Sequence, residues 1–199
     1  MNNENSVDFP PAEDFPSLVD LQVTAIEATA HAVVITDRLG TTVWVNPAFE
    51  ALTGYAAAEI VGQSTRVLKS DANPPALYEG MWRTILEGQV WRGELVNRRK
   101  NSSLYDEEMT ITPLRDGAGE IGHFVGVKRD ITDRKLAEKK MHMLLKAVES
   151  SPELIGMAGP GGTILYVNAA LQRPVQWSEE ERRGIIGRQN ISEVFPGEI

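Results

Sequence analysis

Apolar and polar residues alternate in two rhythms along this 199-residue chain, and each change of rhythm marks an element. Ala32–Thr36 and Thr42–Val45 read as strands joined by the turn "DRLG". Asn46 then has the character of a helix cap, with Pro47 at the first helical position and Gly54 as the stop. "AAEIVG" predicts another short helix. Asn73-Pro74 repeats the cap-plus-proline signal ahead of a helical stripe of Leu77, Tyr78, Met81, Trp82, Ile85 and Leu86. Three strands follow at Val90–Arg99, Leu104–Leu114 and His123–Ile131, separated by the turns "KNSS" and "DGAG". This order predicts an α+β fold, an antiparallel sheet with helices on one face.

Two polar residues interrupt the apolar rows of that sheet. Alternation places Asn97 in the row of Leu95, and Glu107 in the row of Tyr105, Met109 and Ile111. Lys128 shares its row with Phe124 and Gly126, where a glycine leaves room for a planar ligand. Side chains of this kind are expected either to address a ligand or to satisfy one another. Glu107 has Lys128 and Arg66 as candidate ion-pair partners or a wet rim as its alternative setting, and Lys128 also fits a solvated strand edge. Asn97 can serve backbone groups at a strand end, and Trp82 lies in a helix stripe of core character.

The pattern also repeats. Residues 25–49 align without a gap on residues 147–171, at an offset of 122, and seven of the 25 positions are identical, Gly40/Gly162 and Asn46/Asn168 among them. The expected organisation is a lead-in at 1–20 that includes the start of a flanking helix, a complete unit at 21–132, a helical linker at 133–146, and the first half of a second unit at 147–199. In the linker, Ala137, Met141, Leu144 and Val148 recur at coiled-coil spacing. The pattern fits a seam between two chains or an amphipathic helix packed on its own domain, and the position between two repeats favours the seam. Together with a helix around Ser17–Ala30, this makes a homodimer the expected state.

Composition narrows the chemistry. A net charge of -8 argues against nucleic acid as the main partner. The absence of cysteine excludes disulfides and thiolate nucleophiles. His31, His123 and His142 are too scattered to suggest a metal site. No apolar run approaches the ~20 residues of a membrane span. "MNNENSVDFPPAEDFPSL" is acidic and proline-rich, without a signal-peptide apolar stretch. The expectation is a cytoplasmic protein without membrane association. No nucleophile–base pair, P-loop or kinase motif is evident, so a non-enzymatic role is expected.

The segments "ITDRLGTTVWVNPAFEALTGYAAAEIVGQ" and "VWRGELVNRRKNSSLYDEEMTITPLRDGAGEIGHFVGVKRDITDRK" resemble a PAS domain with its C-terminal PAC motif, closed by "DIT" at 130–132. The resemblance implies a five-stranded antiparallel sheet, and a tandem arrangement in which a second PAS domain begins near residue 147. Ser102 stands where the family usually has glycine, and Asn101 is expected to take the positive-φ position. Within the family, "YEGMWRTILEGQVWRGELVNRRK" is similar to redox-sensing PAS domains of the NifL type, which hold FAD. Their helix tryptophan corresponds to Trp82 and their strand asparagine to Asn97.

"GQSTRVLKS" is similar to the light-sensing LOV segment, with Thr65 at the cysteine position and Arg66 where that class contacts the flavin phosphate. Threonine excludes cysteine-adduct photochemistry. The resemblance implies a pocket for FAD, with FMN second. In it, Asn97 would face a ring carbonyl beside N3–H, and Glu107 would accept from N3–H or from the reduced N5–H. Trp82 would flank the ring, and Lys128 would favour an anionic reduced state. It further implies a sensor of redox or oxygen state that signals through the linker to a downstream output domain, as in two-component systems. The alternatives are a ligand-free dimerisation module and a haem sensor, for which the long helix offers only Met81 and no histidine.

Overall fold

The computed structural model describes residues 17–160 and 163–171, with Ser178, Glu180, Gly184 and Ile186 beyond them. Most of the expected lead-in, Pro160-Gly161-Gly162 in part, Trp177 and the end of the second unit lie outside the described residues. The chain divides into two compact units, Met1–Asp133 and Arg134–Ile199.

The first unit opens with α1 (Leu18–Glu27), whose cap Ser17 accepts a hydrogen bond from the Asp20 amide. Next come β1 (Ala32–Asp37), β2 (Thr42–Val45), α2 (Pro47–Thr53), α3 (Ala57–Ile60) and a single 3-10 turn at Thr65–Leu68. The long helix α4 (Pro75–Leu86) leads into β3 (Trp91–Arg98), β4 (Leu104–Arg115) and β5 (Ile121–Asp130). The five strands form one antiparallel sheet in the order β2-β1-β5-β4-β3. The last strand therefore lies in the middle, between the first strand and the fourth.

Sequence signals account for the local structure. Asn46 is wholly buried and works in both directions at once. Its Oδ1 accepts from the amides of Val33 and Phe49, at 2.8 and 3.0 Å, and its Nδ2 donates to the carbonyls of Ile26 and His31. One side chain thus caps α2 and ties it to β1 and to the end of α1. Gly54 ends α2 in the left-handed region, at φ 77°. On the inner face of the sheet, Phe49, Ile60 and Leu68 pack with Ala32, Val34 and Val45. Beside them, Met81 and Ile85 of α4 pack on Leu95, Met109, Ile111 and Phe124. Truncating a side chain such as Ile85 to alanine would cost about 2–5 kcal/mol.

Some expectations shift. Asn73 does not cap α4: Pro74 takes the cap position and Pro75 the first helical one. Asn73 instead braces the helix start against β3. Its Oδ1 accepts from the Val96 amide at 2.8 Å, and its Nδ2 donates to the Val96 carbonyl and to the Tyr78 hydroxyl. Leu86, at the end of the expected stripe, is exposed. In the β3–β4 turn it is Ser102, at φ 70°, and not Asn101, that occupies the left-handed region. Asn101 Oδ1 accepts from the amide and hydroxyl of Ser103, which holds Asn101 in an Asx turn and passes the left-handed step to its neighbour.

At the end of β5, Asp130 accepts from the amide and hydroxyl of Thr132 and from Arg99 Nη2 at 2.7 Å. The Thr132 hydroxyl accepts in turn from the Asp106 amide. The "DIT" triplet thereby fastens the strand end to the first turn of α5 (Thr132–Ser150), which extends beyond the expected linker at both ends. Its seam residues Ala137, Met141 and Leu144 are exposed. In the second unit, β6 (Gly156–Ala158) and β7 (Ile164–Val167) form an antiparallel pair.

Candidate functional site

The inner sheet face, α4 and the 3-10 turn enclose a cavity of about 560 Å³, within the usual ~300–1,000 Å³ of small-molecule pockets. Strand alternation supplies its floor. Leu95 and Asn97 from β3, Met109 and Ile111 from β4, and Phe124, Gly126 and Lys128 from β5 all point the same way. Gly126 lies opposite Val34 on one side and Ile111 on the other. A Cβ there would stand 3.0 Å from Val34 Cγ1, so the glycine keeps the floor flat. Met81, Trp82 and Ile85 of α4 form a wall, and the Trp82 ring meets Phe124 edge-to-face at 6.1 Å. Gly40, at φ 82°, lets that indole approach, since a Cβ would lie 3.1 Å from Trp82 Cη2.

The polar part of the floor is built around one carboxylate. Glu107 is fully buried. Its Oε1 accepts from Asn97 Nδ2 at 3.0 Å and from Lys128 Nζ at 2.8 Å, and its Oε2 accepts from the Tyr105 hydroxyl at 2.9 Å. Strand register produces this convergence. Glu107 lies opposite Leu95 and Asp130, two residues along the neighbouring strands from Asn97 and Lys128, and it reaches both diagonally. Burial pushes the Tyr105 phenol far above its ordinary pKa, and the Glu107 charge pushes it further, so it remains an O–H donor. Breaking such a buried ion pair from one side leaves an uncompensated charge, at about 3–5 kcal/mol.

Of the six residues expected at a site, Thr65, Arg66, Trp82, Asn97 and Lys128 all line the cavity. Glu107 does not: it lies behind Asn97 and Lys128, with both oxygens already engaged. The ion pair with Lys128, one of the readings of the sequence, is formed, and because both residues are buried neither a wet rim for Glu107 nor a solvated edge for Lys128 holds. Thr65 and Arg66 sit at the rim, where the Thr65 hydroxyl faces the Gly40 carbonyl at 3.4 Å and Arg66 is exposed. Gly40, Lys69 and Tyr78 line the cavity without having been expected there. The Lys69 ammonium rests 4.3 Å from the centre of the Tyr78 ring. That pairing joins a turn to a helix and has no signature in spacing, whereas Tyr105 was visible in the same alternating row as Glu107.

No histidine lines the cavity. Among the described residues there is no cluster of metal-ligating side chains and no helix long and apolar enough to cross a membrane.

Residues 30–133, which carry this sheet and cavity, match the family of PAS domains. The chain belongs to the PAS domain family. A nitrogen fixation regulatory protein from Klebsiella oxytoca is 36% identical over 124 residues, 61% of this chain and 25% of that protein. The PAS chain thus spans about a quarter of that relative's length. Among solved structures, an RNA-binding light-oxygen-voltage receptor is 28% identical with a TM-score of 0.60, covering 71% of this chain and 41% of the receptor. A light-oxygen-voltage domain studied with a flavin analogue is 29% identical with a TM-score of 0.51, covering 67% of this chain and 98% of that domain. This PAS domain is therefore related to a nitrogen fixation regulator and to light-oxygen-voltage domains.

Proposed function

We propose that the first PAS domain is a flavin sensor, holding FAD in preference to FMN, and that it passes the redox or oxygen state of that flavin along α5 to an output domain elsewhere in a longer protein. The observation that carries this reading is the cavity's division into an apolar wall and one polar patch. Trp82, Phe124, Ile111 and Met109 suit the apolar faces of an isoalloxazine, and Asn97 and Lys128 suit its polar edge. Gly126 keeps the floor flat beneath a planar ring, and Gly40 lets the Trp82 indole close in as its wall. Kinship with a light-oxygen-voltage domain studied with a flavin analogue supports the same ligand class.

A bound flavin supplies reversible one- and two-electron chemistry. The chain's own residues orient it, exclude water and answer its charge. Lys128 offers buried N–H donors to the ring side of the cavity, with its charge offset by Glu107. The exposed Arg66 and Lys69 at the rim favour phosphate. β5 carries Lys128 and ends two residues later in the Asp130–Thr132 fastening of α5, a short structural route from floor to helix. With Thr65 in place of a cysteine, the domain responds to electron transfer and not through a photoadduct. α1 and the exposed seam of α5 supply the surfaces for the homodimer.

The deciding experiment is an absorbance spectrum of the purified chain, followed by cofactor release and chromatography. Flavin bands with about one FAD per chain are expected. Protein that is colourless and cannot be reconstituted with FAD overturns the reading, and a Soret band replaces it with haem.

A further inference from the structure

Glu107 is the most deeply committed polar residue of the floor, and its role is separable from ligand contact. A carboxylate can only accept hydrogen bonds. Asn97 must therefore present its NH2 to Glu107, which turns its carbonyl Oδ1 away from the carboxylate and makes it the acceptor available to the cavity it lines. Lys128 is 4% exposed and has one acceptor, Glu107 Oε1, for its three N–H groups. The others remain for the cavity. Tyr105 occupies the second carboxylate oxygen, so Glu107 cannot turn to serve the cavity itself. The negative and positive charges cancel, and the floor shows an acceptor beside donors without net charge.

We propose that Glu107 is the positioning residue of the cavity: by orienting the Asn97 amide and tethering Lys128, it makes the floor selective for a ligand edge in which an N–H donor adjoins a carbonyl. This rests on the flavin reading and deepens it, because N3–H and its neighbouring carbonyl form such an edge. A merely structural Glu107, joining β4 to β3 and β5, would affect stability without affecting which flavin is held.

The test compares riboflavin with N3-methylriboflavin, which lacks the donor, by fluorescence titration of the full chain stripped of small molecules. Wild type is expected to prefer riboflavin by about tenfold to a hundredfold, the consequence of leaving a buried acceptor unpaired. Glu107→Gln can offer Asn97 either a donor or an acceptor, so the amide is free to turn and the preference is expected to fall by about tenfold. The double variant Glu107→Gln/Lys128→Met removes both charges together, and the same loss is expected if the single variant fails to fold. Equal affinity of wild type for the two flavins overturns the proposal while leaving flavin binding intact. So does an undiminished preference in whichever of the two variants folds. No binding of either flavin by wild type overturns the flavin reading, and the proposal with it.

Discussion

Lys128, Arg66 and Lys69 line the same cavity under opposite conditions. Lys128 is buried on the sheet floor against a carboxylate with no exposed surface. Arg66 and Lys69 stand in solvent at the rim, one of them over the Tyr78 ring. The difference teaches where a cavity of this kind can place specificity. On the floor, Coulomb attraction is weakly screened and geometry is imposed by strand register, so a charge there has one partner and one position. At the rim, water and salt weaken the field, and long side chains retain their freedom. The floor can discriminate between ligand edges, whereas the rim can only raise affinity for an anionic tail. Between the two lies the Arg99–Asp130 pair, with side chains 24% and 38% exposed.

The comparison breaks most sharply at the floor. Lys128→Met leaves Glu107 buried without its cation, and a loss of about 3–5 kcal/mol is expected in the denaturant-induced unfolding of the first unit. The double variant Lys128→Met/Glu107→Gln removes both charges and is expected to recover most of that loss. A single variant as stable as wild type would show that the floor pair is no more consequential than a surface one.

Asn97→Ala comes next. It removes one donor from Glu107 and the amide from the cavity, a loss of about 1–3 kcal/mol in ligand binding. Retention of FAD is expected to weaken by roughly one to two powers of ten, measured by equilibrium dialysis. Full retention would move the ligand's polar edge away from β3.

The intermediate pair is expected to act at acid pH. Burial raises the Asp130 pKa, but hydrogen bonds from Thr132 and Arg99 outweigh it, and the carboxyl lies below its ordinary value. A depressed folded pKa stabilises the fold above the unfolded value and loses that contribution as pH falls through the folded one. Asp130→Asn should therefore lower stability by about 1 kcal/mol or less near neutrality. It should make no difference once the pH is well below about 4. Paired unfolding curves at the two pH values check this, and a deficit that persists in acid would assign the effect to packing.

How much of this was legible in sequence depends on the range of each interaction. The offset of 122 between the repeats predicted more than a fold. Asn168 accepts from the Ile155 amide and donates to the carbonyls of Val148 and Glu153, and each partner lies 122 residues after the corresponding partner of Asn46. A capping asparagine reads its neighbours through backbone atoms, which any sequence supplies, so the motif carries its network with it. The repeats differ where a side chain enters. Glu149 accepts from the Ala169 amide, a bond that Pro47 at the matching position cannot make.

On the floor, alternation showed that Asn97, Glu107 and Lys128 share a face. It could not show which of them would reach the cavity, because that depends on the register of β4 against both neighbours, set by contacts far apart in the chain. The same limit explains Asn73, whose partners on Val96 lie 23 residues away.

The smallest effects are expected at the rim, and salt is the means of finding them. Arg66→Ala and Lys69→Ala each remove an exposed cation, worth about 1 kcal/mol at most, or roughly fivefold in retention of an anionic ligand at low ionic strength. At about 1 M salt the screening length shrinks to about 3 Å, and both variants should then retain FAD as wild type does. Riboflavin, which lacks phosphate, should bind wild type and both variants alike at any salt. Asn97→Ala supplies the contrast, because a hydrogen bond on a buried floor has no counter-ions to compete with and its loss should be the same at both ionic strengths. Lys69 is the more informative of the two rim residues, since its ammonium already rests on the Tyr78 ring. A Lys69→Ala deficit that survives high salt would mean that the bound ligand covers this cation and dries its surroundings. In that event the line between floor and rim falls at Arg66, and the selective part of the cavity extends out along the turn that follows it.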